Sequence, residues 1–223
     1  MNEVLDRLRG RLVVSCQAYP GEPLRDPDSM RRMALAALHG GAAGIRAQGL
    51  DDLRLIRESV DVPIIGLWKD GAEGVYITPT ADHAVAVAGT GADVVAFDAT
   101  GRKRPDGRPI EDTVAAIHAV GRLAMADVSA LEEGVRAVEL GADVVGTTLS
   151  GYTVLGPKPI GPDLDLVEAL VAAVPVPVIA EGRIHTPRQA ADAMGRGAHS
   201  VVVGTAITHP TTITCWFADA VNG

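Results

Sequence analysis

The chain has 223 residues, 47% of them apolar, with a formal net charge of −8 at pH 7 and two cysteines far apart in the sequence. This length suits one domain with a sizeable core, while the absence of a basic patch, a secretory leader or a run of about 20 apolar residues argues against nucleic-acid binding, secretion and membrane insertion. Two distant cysteines and six histidines without ligand spacing predict neither a disulfide framework nor a metal site, and a reducing, cytoplasmic location is expected.

Short apolar runs recur along the chain and alternate with segments of helical pattern. One helix is predicted to have Asp26 as its N-cap and Pro27 in its first turn. Four of the runs open at a Gly-Ala pair, and glycine is the usual residue just past a helix end, where a positive φ is needed. In chain order, the eight runs cover residues 12–15, 41–45, 62–67, 91–95, 123–126, 141–145, 176–180 and 197–201.

This alternation predicts the fold class. Strands that alternate with helices are typical of a parallel sheet in an α/β protein. Eight repeats of about 28 residues predict a (β/α)8 TIM barrel, with residues 1–223 forming a single domain. An open, doubly wound sheet is the alternative, and it is disfavoured because the chain has no Gly-x-Gly-x-x-Gly dinucleotide-binding loop.

Two of the runs are alike, and they lead to ionisable residues of opposite type. Run 62–67 leads through Trp68 to Lys69, and run 176–180 leads to Glu181. Side chains alternate along a strand, and barrel enzymes carry their site at the carboxyl ends of the strands. The Lys69 amine and the Glu181 carboxyl group are therefore predicted to reach one pocket. Partial burial beside Trp68 would lower the pKa of Lys69 and make it a base near neutral pH. The alternatives are a solvated Lys69 and a Glu181 that pairs with a rim cation such as Arg183.

Further polar residues follow the other apolar runs. They include Gln17, Arg46 and Asp127, and the alternative for an aspartate such as Asp127 is a helix N-cap. Glycine-bearing turns at Gly182 and Gly204 follow the seventh and eighth runs, where barrels often bind phosphate with backbone N–H groups. The loop 149–153 follows the sixth run and could close over a ligand; an ordinary surface loop is the alternative.

Motifs spread over nearly the whole chain carry a family resemblance. They are LVVSCQ (12–17), AGIR (43–46), VPIIG (62–66) leading to Lys69, YITPT (76–80), LAMAD (123–127), GTTLSGYT (146–153), VIAEGR (178–183) with Thr186 and Pro187, and VGTAIT (203–208). In these motifs the chain resembles the N-acetylmannosamine-6-phosphate 2-epimerase family of bacterial sialic-acid breakdown.

The resemblance implies a (β/α)8 barrel that epimerises N-acetylmannosamine 6-phosphate to N-acetylglucosamine 6-phosphate at C2 without a cofactor. Lys69 would then be the acid and base at C2, with Glu181 as its partner. The resemblance further implies that Gln17, Arg46 and Asp127 hold the sugar and its N-acetyl group. The expected contacts of the phosphate are Ser150, Gly151, Tyr152, Gly182, Gly204 and Thr205, and Arg183 is also expected to bind the substrate.

The chain departs from the family pattern at two positions where the family usually has arginine. Asp70 follows the lysine, and His209 follows the Ala-Ile-Thr stretch. Another phosphosugar isomerase or epimerase on the same barrel, or a non-catalytic phosphosugar-binding barrel, therefore stays open as an alternative. The apolar segment 213–217 is expected to cap the barrel or to join a homodimer interface.

Overall fold

The computed structural model describes residues 2–153 and 160–223, and Met1 and residues 154–159 of the predicted domain lie outside this range. The described residues include eight parallel strands that pair in chain order and close into a barrel. The predicted (β/α)8 fold is thus confirmed. The strands are β1 (Leu12–Cys16), β2 (Gly44–Gln48), β3 (Ile64–Leu67), β4 (Val94–Asp98), β5 (Leu123–Asp127), β6 (Val144–Gly146), β7 (Val178–Glu181) and β8 (Ser200–Val203).

Six strands begin two or three residues later than their apolar runs, and in β3 and β7 a proline stands just before the first strand residue. β3 starts at Ile64 and β7 at Val178. Pro63 and Pro177 have no N–H to donate, but their carbonyl groups accept from Ile45 N at 3.0 Å and from Val145 N at 3.1 Å. Each proline therefore joins the sheet through its acceptor alone, one residue before the ladder begins.

Helices follow the strands and pack around the barrel. Asp26 caps α2 as predicted, since its carboxylate accepts from Ser29 N at 2.9 Å and Pro27 is the first helical residue. The helices are α1 (Glu3–Leu8), α2 (Pro27–His39), α3 (Leu50–Arg57), α4 (Ala81–Ala88), α5 (Ile110–Ala119), α6 (Leu131–Glu139), α7 (Leu164–Ala173), α8 (Pro187–Gly195), α9 (Thr205–Thr208) and α10 (Pro210–Asn222). None of the described helices is long and apolar enough to cross a membrane.

The Gly-Ala pairs lie in the turns between helices and strands. Gly41, Gly91, Gly141 and Gly197 have φ values of 98°, 92°, 100° and 92°. This left-handed region costs little for glycine and much for residues with a Cβ atom. The four pairs therefore mark helix ends for the reason that the sequence suggested.

Apolar side chains fill the barrel interior and close its lower end. Inward residues such as Ile65, Met125 and Ile179 form a cluster with Leu5 and Leu8 of α1, so this helix plugs the amino-terminal end of the strands. The barrel closes where β8 pairs with β1, with Val202 opposite Val13. Because the interior and the amino-terminal end are filled, the opposite end, at the carboxyl termini of the strands, is left open for a binding site.

Candidate active site

A cavity of about 180 Å³ opens at the carboxyl end of the barrel. Nine of the twelve residues predicted for the site line it, namely Gln17, Arg46, Lys69, Tyr152, Glu181, Gly182, Arg183, Gly204 and Thr205. Lys69 follows β3 and Glu181 ends β7, and these strands lie on opposite sides of the barrel. A ligand in the cavity would therefore lie between an amine and a carboxyl group.

Lys69 is a partly buried amine in this cavity. Burial, assisted by the nearby Arg46 guanidinium and opposed by Glu181 and Asp127, lowers the pKa of Lys69 to about 8. Its Nζ atom lies 5.8 Å from the ring centroid of Tyr19. A substantial fraction of this side chain is therefore a neutral amine near pH 8, as a general base requires.

At the floor of the cavity, Arg46 is held by two carboxylates. Its Nη2 atom lies 2.6 Å from Asp127 Oδ2, and its Nη1 atom lies 3.2 Å from Asp127 Oδ1 and 3.0 Å from Glu181 Oε2. Arg46 and Asp127 are 1% and 0% exposed. Thr148 Oγ1 donates to Asp127 Oδ1 at 2.6 Å. Asp127 thus supports Arg46 from beneath the cavity rather than lining it, and it is not a helix cap.

Glu181 titrates far from its usual range. Burial, opposed by the Arg46 guanidinium and assisted by the negative charge of Asp127, raises the pKa of Glu181 to about 7. Its cation partner is Arg46 rather than Arg183. Lys69 and Glu181 therefore both change protonation close to neutral pH, which is the behaviour expected of an acid–base pair.

The loop after β6 forms the wall beside β7. Arg183 donates from Nε to Gly161 O at 2.9 Å and from Nη1 to Ser150 O, and its Cζ atom lies 5.2 Å from the Tyr152 ring centroid. Ser150 Oγ donates to Asp163 Oδ2 at 2.5 Å. Ser150 and Gly151 lie behind Arg183 and Tyr152, so they shape the wall while the other two line the cavity.

The two positions without the family arginine differ in their surroundings. The Asp70 side chain is 64% exposed, and its carboxylate lies 3.1 Å from His83 Nε2, outside the cavity. His209 is buried, lines the cavity, and contacts the Tyr19 ring edge at a centroid distance of 4.7 Å. Only the second departure therefore changes the cavity wall.

The lining residues that were absent from the predicted site include Tyr19, Tyr76, Thr148 and His185. Thr148 follows β6 by two residues, and its hydroxyl contacts both Asp127 and Glu181. Because barrel enzymes carry their site residues just after the strands, Thr148 could have been predicted from the sequence. Tyr19, Tyr76 and His185 come from connecting segments, where a single sequence carries no comparable signal.

Several polar atoms of the cavity are free to bind a ligand. Gln17 Oε1, Arg46 Nε and His209 Nδ1 are buried and have no hydrogen-bond partner among the described residues. Within the same residues, no group of three or more His, Cys, Asp or Glu side chains could hold a metal ion. The cavity thus offers acceptor, donor and imidazole atoms suited to a polar, hydroxyl-rich molecule.

The chain is similar over most of its length to proteins of one family. The family model described as "Putative N-acetylmannosamine-6-phosphate epimerase" matches residues 30–223. Proteins named "Putative N-acetylmannosamine-6-phosphate 2-epimerase" are 53% identical in Cutibacterium acnes, over 99% of this chain and 98% of that protein, and 52% identical in Clostridium perfringens strain SM101, over 97% and 99%. The solved structure of the N-acetylmannosamine-6-phosphate 2-epimerase from Clostridium perfringens has a TM-score of 0.95 and 49% identity, covering 98% of this chain and 96% of its own. The chain therefore belongs to the N-acetylmannosamine-6-phosphate epimerase family.

Proposed function

We propose that the protein is a cofactor-independent isomerase that interconverts N-acetylmannosamine 6-phosphate and N-acetylglucosamine 6-phosphate by inverting C2, in the breakdown of sialic acid. The observation that carries the proposal is one cavity lined by Lys69, with a pKa of about 8, and by Glu181, with a pKa of about 7. The family to which the chain belongs supports the choice of substrate.

Proton transfer at C2 needs an open sugar ring, because the C2 hydrogen is acidic only when C1 is a free aldehyde. The neutral Lys69 amine takes the C2 proton, the electron pair of that C–H bond forms a C1–C2 double bond, and the carbonyl oxygen becomes an oxyanion. The Lys69 ammonium returns a proton to the opposite face of C2 after the intermediate has turned in the cavity, which gives the other epimer and restores the neutral amine, so no redox partner is needed. A base placed within hydrogen-bond reach typically contributes ~10²–10⁴-fold.

Arg46 and Glu181 would assist at the oxygen atoms of the same substrate. The Arg46 guanidinium is fixed by Asp127 and Glu181, so it can stabilise the oxyanion without reorganising. Glu181 would exchange protons with the sugar hydroxyls during ring opening. Gln17 would accept a hydrogen bond from the sugar or its N-acetyl group, since its Oε1 atom has no partner among the described residues.

The phosphate would lie on the side of β7 and β8. Gly182, Arg183, Gly204 and Thr205 line the cavity there, beside the loop 150–152. Barrel enzymes frequently bind phosphate in the loops after the seventh and eighth strands, where backbone N–H groups approach the ligand. Gly182 has a φ of 106°, which lets its backbone turn toward the cavity without a side chain in the way.

Hydrogen–deuterium exchange at C2 tests the proposal. Wild-type protein in D₂O should exchange the C2 hydrogen of N-acetylmannosamine 6-phosphate, as followed by proton NMR, and Lys69→Ala should abolish the exchange. Lys103→Ala is the matched control, because Lys103 is exposed and lies outside the cavity. Near-wild-type exchange in Lys69→Ala, with a native circular dichroism spectrum, would reject the mechanism.

Identifying the product of the same reaction by NMR separates the epimerase from the alternative functions. A ketose product identifies an aldose–ketose isomerase, and tight binding without exchange at C2 identifies a phosphosugar-binding protein. Repeating the assay with unphosphorylated N-acetylmannosamine measures the contribution of the phosphate. Turnover of the free sugar at an equal rate would contradict a phosphate site beside β7 and β8.

The proposal includes a homodimer that works in the cytoplasm. None of the residues of α10 is buried, and Phe217 and Val221 are 70% and 82% exposed. Large apolar side chains on an exposed helix suit contact with a second copy. Light scattering after size-exclusion chromatography should give twice the monomer mass for wild type and a monomer for Phe217→Asp.

A further inference from the structure

Lys69 lies beyond the end of β3, where the barrel ladder no longer fixes the backbone. A return segment, residues 76–78, runs antiparallel to residues 68–70, with Ile77 opposite Lys69. Thr78 N donates to Trp68 O at 2.7 Å, and Asp70 N donates to Tyr76 O at 3.0 Å. These two hydrogen bonds fix the backbone on both sides of Lys69.

Thr78 connects this return segment to the barrel. Its side chain is fully buried, and its Oγ1 atom accepts from Trp68 N at 3.2 Å and donates to Ala96 O in β4 at 2.6 Å. Its φ of 45° lies in the left-handed region, which is unusual for a β-branched residue and persists only where the surrounding contacts hold it. One hydroxyl thus ties the residue next to Lys69 to the neighbouring strand.

Arg104 clamps the same segment from the other side. The buried guanidinium donates to Thr78 O at 3.1 Å and to Asp98 O at 2.8 Å. Asp98 N in turn donates to Ile77 O at 3.0 Å. The return segment is therefore bonded to Trp68 and Asp70 along one edge and to the end of β4 along the other.

We propose that Thr78 is a positioning residue for Lys69, and that Arg104 holds Thr78 in the conformation that this requires. The inference rests on the proposed role of Lys69 as the base. Lysine has a long, flexible side chain, and Lys69 forms no ion pair within the described part of the chain. Its reach to C2 is therefore set by where the backbone fixes its Cα atom and by how deeply it is buried.

Paired variants separate the hydroxyl from the rest of the side chain. Thr78→Val keeps the shape and removes the hydroxyl, whereas Thr78→Ser keeps the hydroxyl. A displacement of about 1 Å at a reacting group can cost ~10²-fold in rate. We therefore expect kcat of Thr78→Val to fall about 10–100-fold with KM within about 2-fold of wild type, and Thr78→Ser to restore kcat.

The second measurement is the pKa of Lys69, which can be titrated without turnover of substrate. Reductive ¹³C-methylation followed by NMR measures the pKa of Lys69 directly, and Thr78→Val should raise it from about 8, because a displaced amine is less deeply buried. The groups that act on Lys69 are left unchanged by both variants; they are Arg46, Arg25, Glu181, Asp127 and Tyr19. A purely structural Thr78 would lower the melting temperature without moving this pKa.

Several results would overturn the inference. One is that Thr78→Val has the kcat and the Lys69 pKa of wild type. Another is that Thr78→Ser loses as much kcat as Thr78→Val. If Thr78→Val does not fold, Arg104→Met tests the same clamp and should lower kcat about 10-fold; failure of both variants to fold would mean that the contacts serve the barrel alone. A wild-type protein without C2 exchange refutes the proposed function instead, and the NMR titration then still decides whether Thr78 positions Lys69.

Discussion

Replacing Lys69 by methionine should make the protein more stable at neutral pH. Methionine has a similar length and no charge, so the variant removes a partly buried ammonium group from the cavity. The pKa of Lys69 is about 8 in the folded protein, against 10.5 for an ordinary lysine. The folded state therefore holds this proton less tightly than the unfolded chain does, which costs stability wherever the amine is protonated.

The two pKa values differ by about 2.5, and each pKa unit corresponds to about 1.4 kcal/mol, so the full cost is roughly 3 kcal/mol. Below pH 8 both states carry the proton and the whole cost applies. Between pH 8 and 10.5 the unfolded chain binds more protons, so wild-type stability rises with pH and the cost disappears. For a protein of this size, each kcal/mol of stability shifts the melting temperature by about 2–4 °C. Lys69→Met should therefore raise the melting temperature by roughly 6–12 °C at pH 7, and we expect the lower end because Lys69 is partly exposed.

Thermal unfolding followed by circular dichroism at pH 7, 8, 9 and 10 measures this difference. The gain of Lys69→Met over wild type should shrink steadily above pH 8. Lys103→Met provides the control, because an exposed lysine should show no such pH-dependent difference. A gain of less than about 2 °C at pH 7, or one that stays constant up to pH 10, would refute the account of a desolvated Lys69.

Three further changes have definite expected results. Asp127→Ala leaves Arg46 buried beside a single carboxylate, which costs about 3–5 kcal/mol and should lower the melting temperature by roughly 6–20 °C. Glu181→Gln removes a negative charge that raises the pKa of Lys69, so the rising limb of the pH–rate profile for C2 exchange should move below pH 8 while kcat falls. Gly66→Ala places a Cβ atom 2.8 Å from Ala92 Cβ and 2.9 Å from Val87 Cγ1, and should cost about 1–3 kcal/mol in urea unfolding.

Each of these predictions can fail in a specific way. Asp51→Ala removes a carboxylate from an exposed ion pair with Arg54 and should change the melting temperature by less than about 2 °C, so an equally small change in Asp127→Ala would contradict the buried pair. An upward movement of the pH–rate limb in Glu181→Gln would mean that Glu181 does not act on Lys69 through its charge. Unchanged stability in Gly66→Ala would show that α4 and the turn after it move aside at little cost.

The barrel could be predicted because its signals are local. Each Gly-Ala pair marks a helix end, and each apolar run is long enough to be one strand, so counting them gives the fold. Lys69 and Glu181 could be predicted for the related reason that a polar residue after a buried strand faces the carboxyl end of the barrel. The apolar runs did not give the strand bounds; β3 and β7 begin only after Pro63 and Pro177, which accept from the neighbouring strand but cannot donate to it.

The contacts between site residues could not be predicted in the same way. Arg46 and Asp127 are 81 residues apart, and their pairing depends on how the strands tilt across the barrel interior. Asp70 directly follows Lys69, yet its side chain leaves the site for His83, because neighbouring residues in extended backbone point to opposite sides. The hydrogen bonds of Thr78 and Arg104 likewise depend on the path of a loop, which a single sequence does not encode locally.

Closure of the barrel between β1 and β8 has a consequence for synthesis on the ribosome. His199 Nε2 contacts Leu5 O at 2.8 Å across 194 residues of sequence, and β8 is the last strand to be made. At about 5–20 residues per second, roughly 10–40 s separate translation of these two residues. During that interval the β1 edge that β8 will cover has no partner strand, so it stays open to pairing with other chains until the final strand emerges.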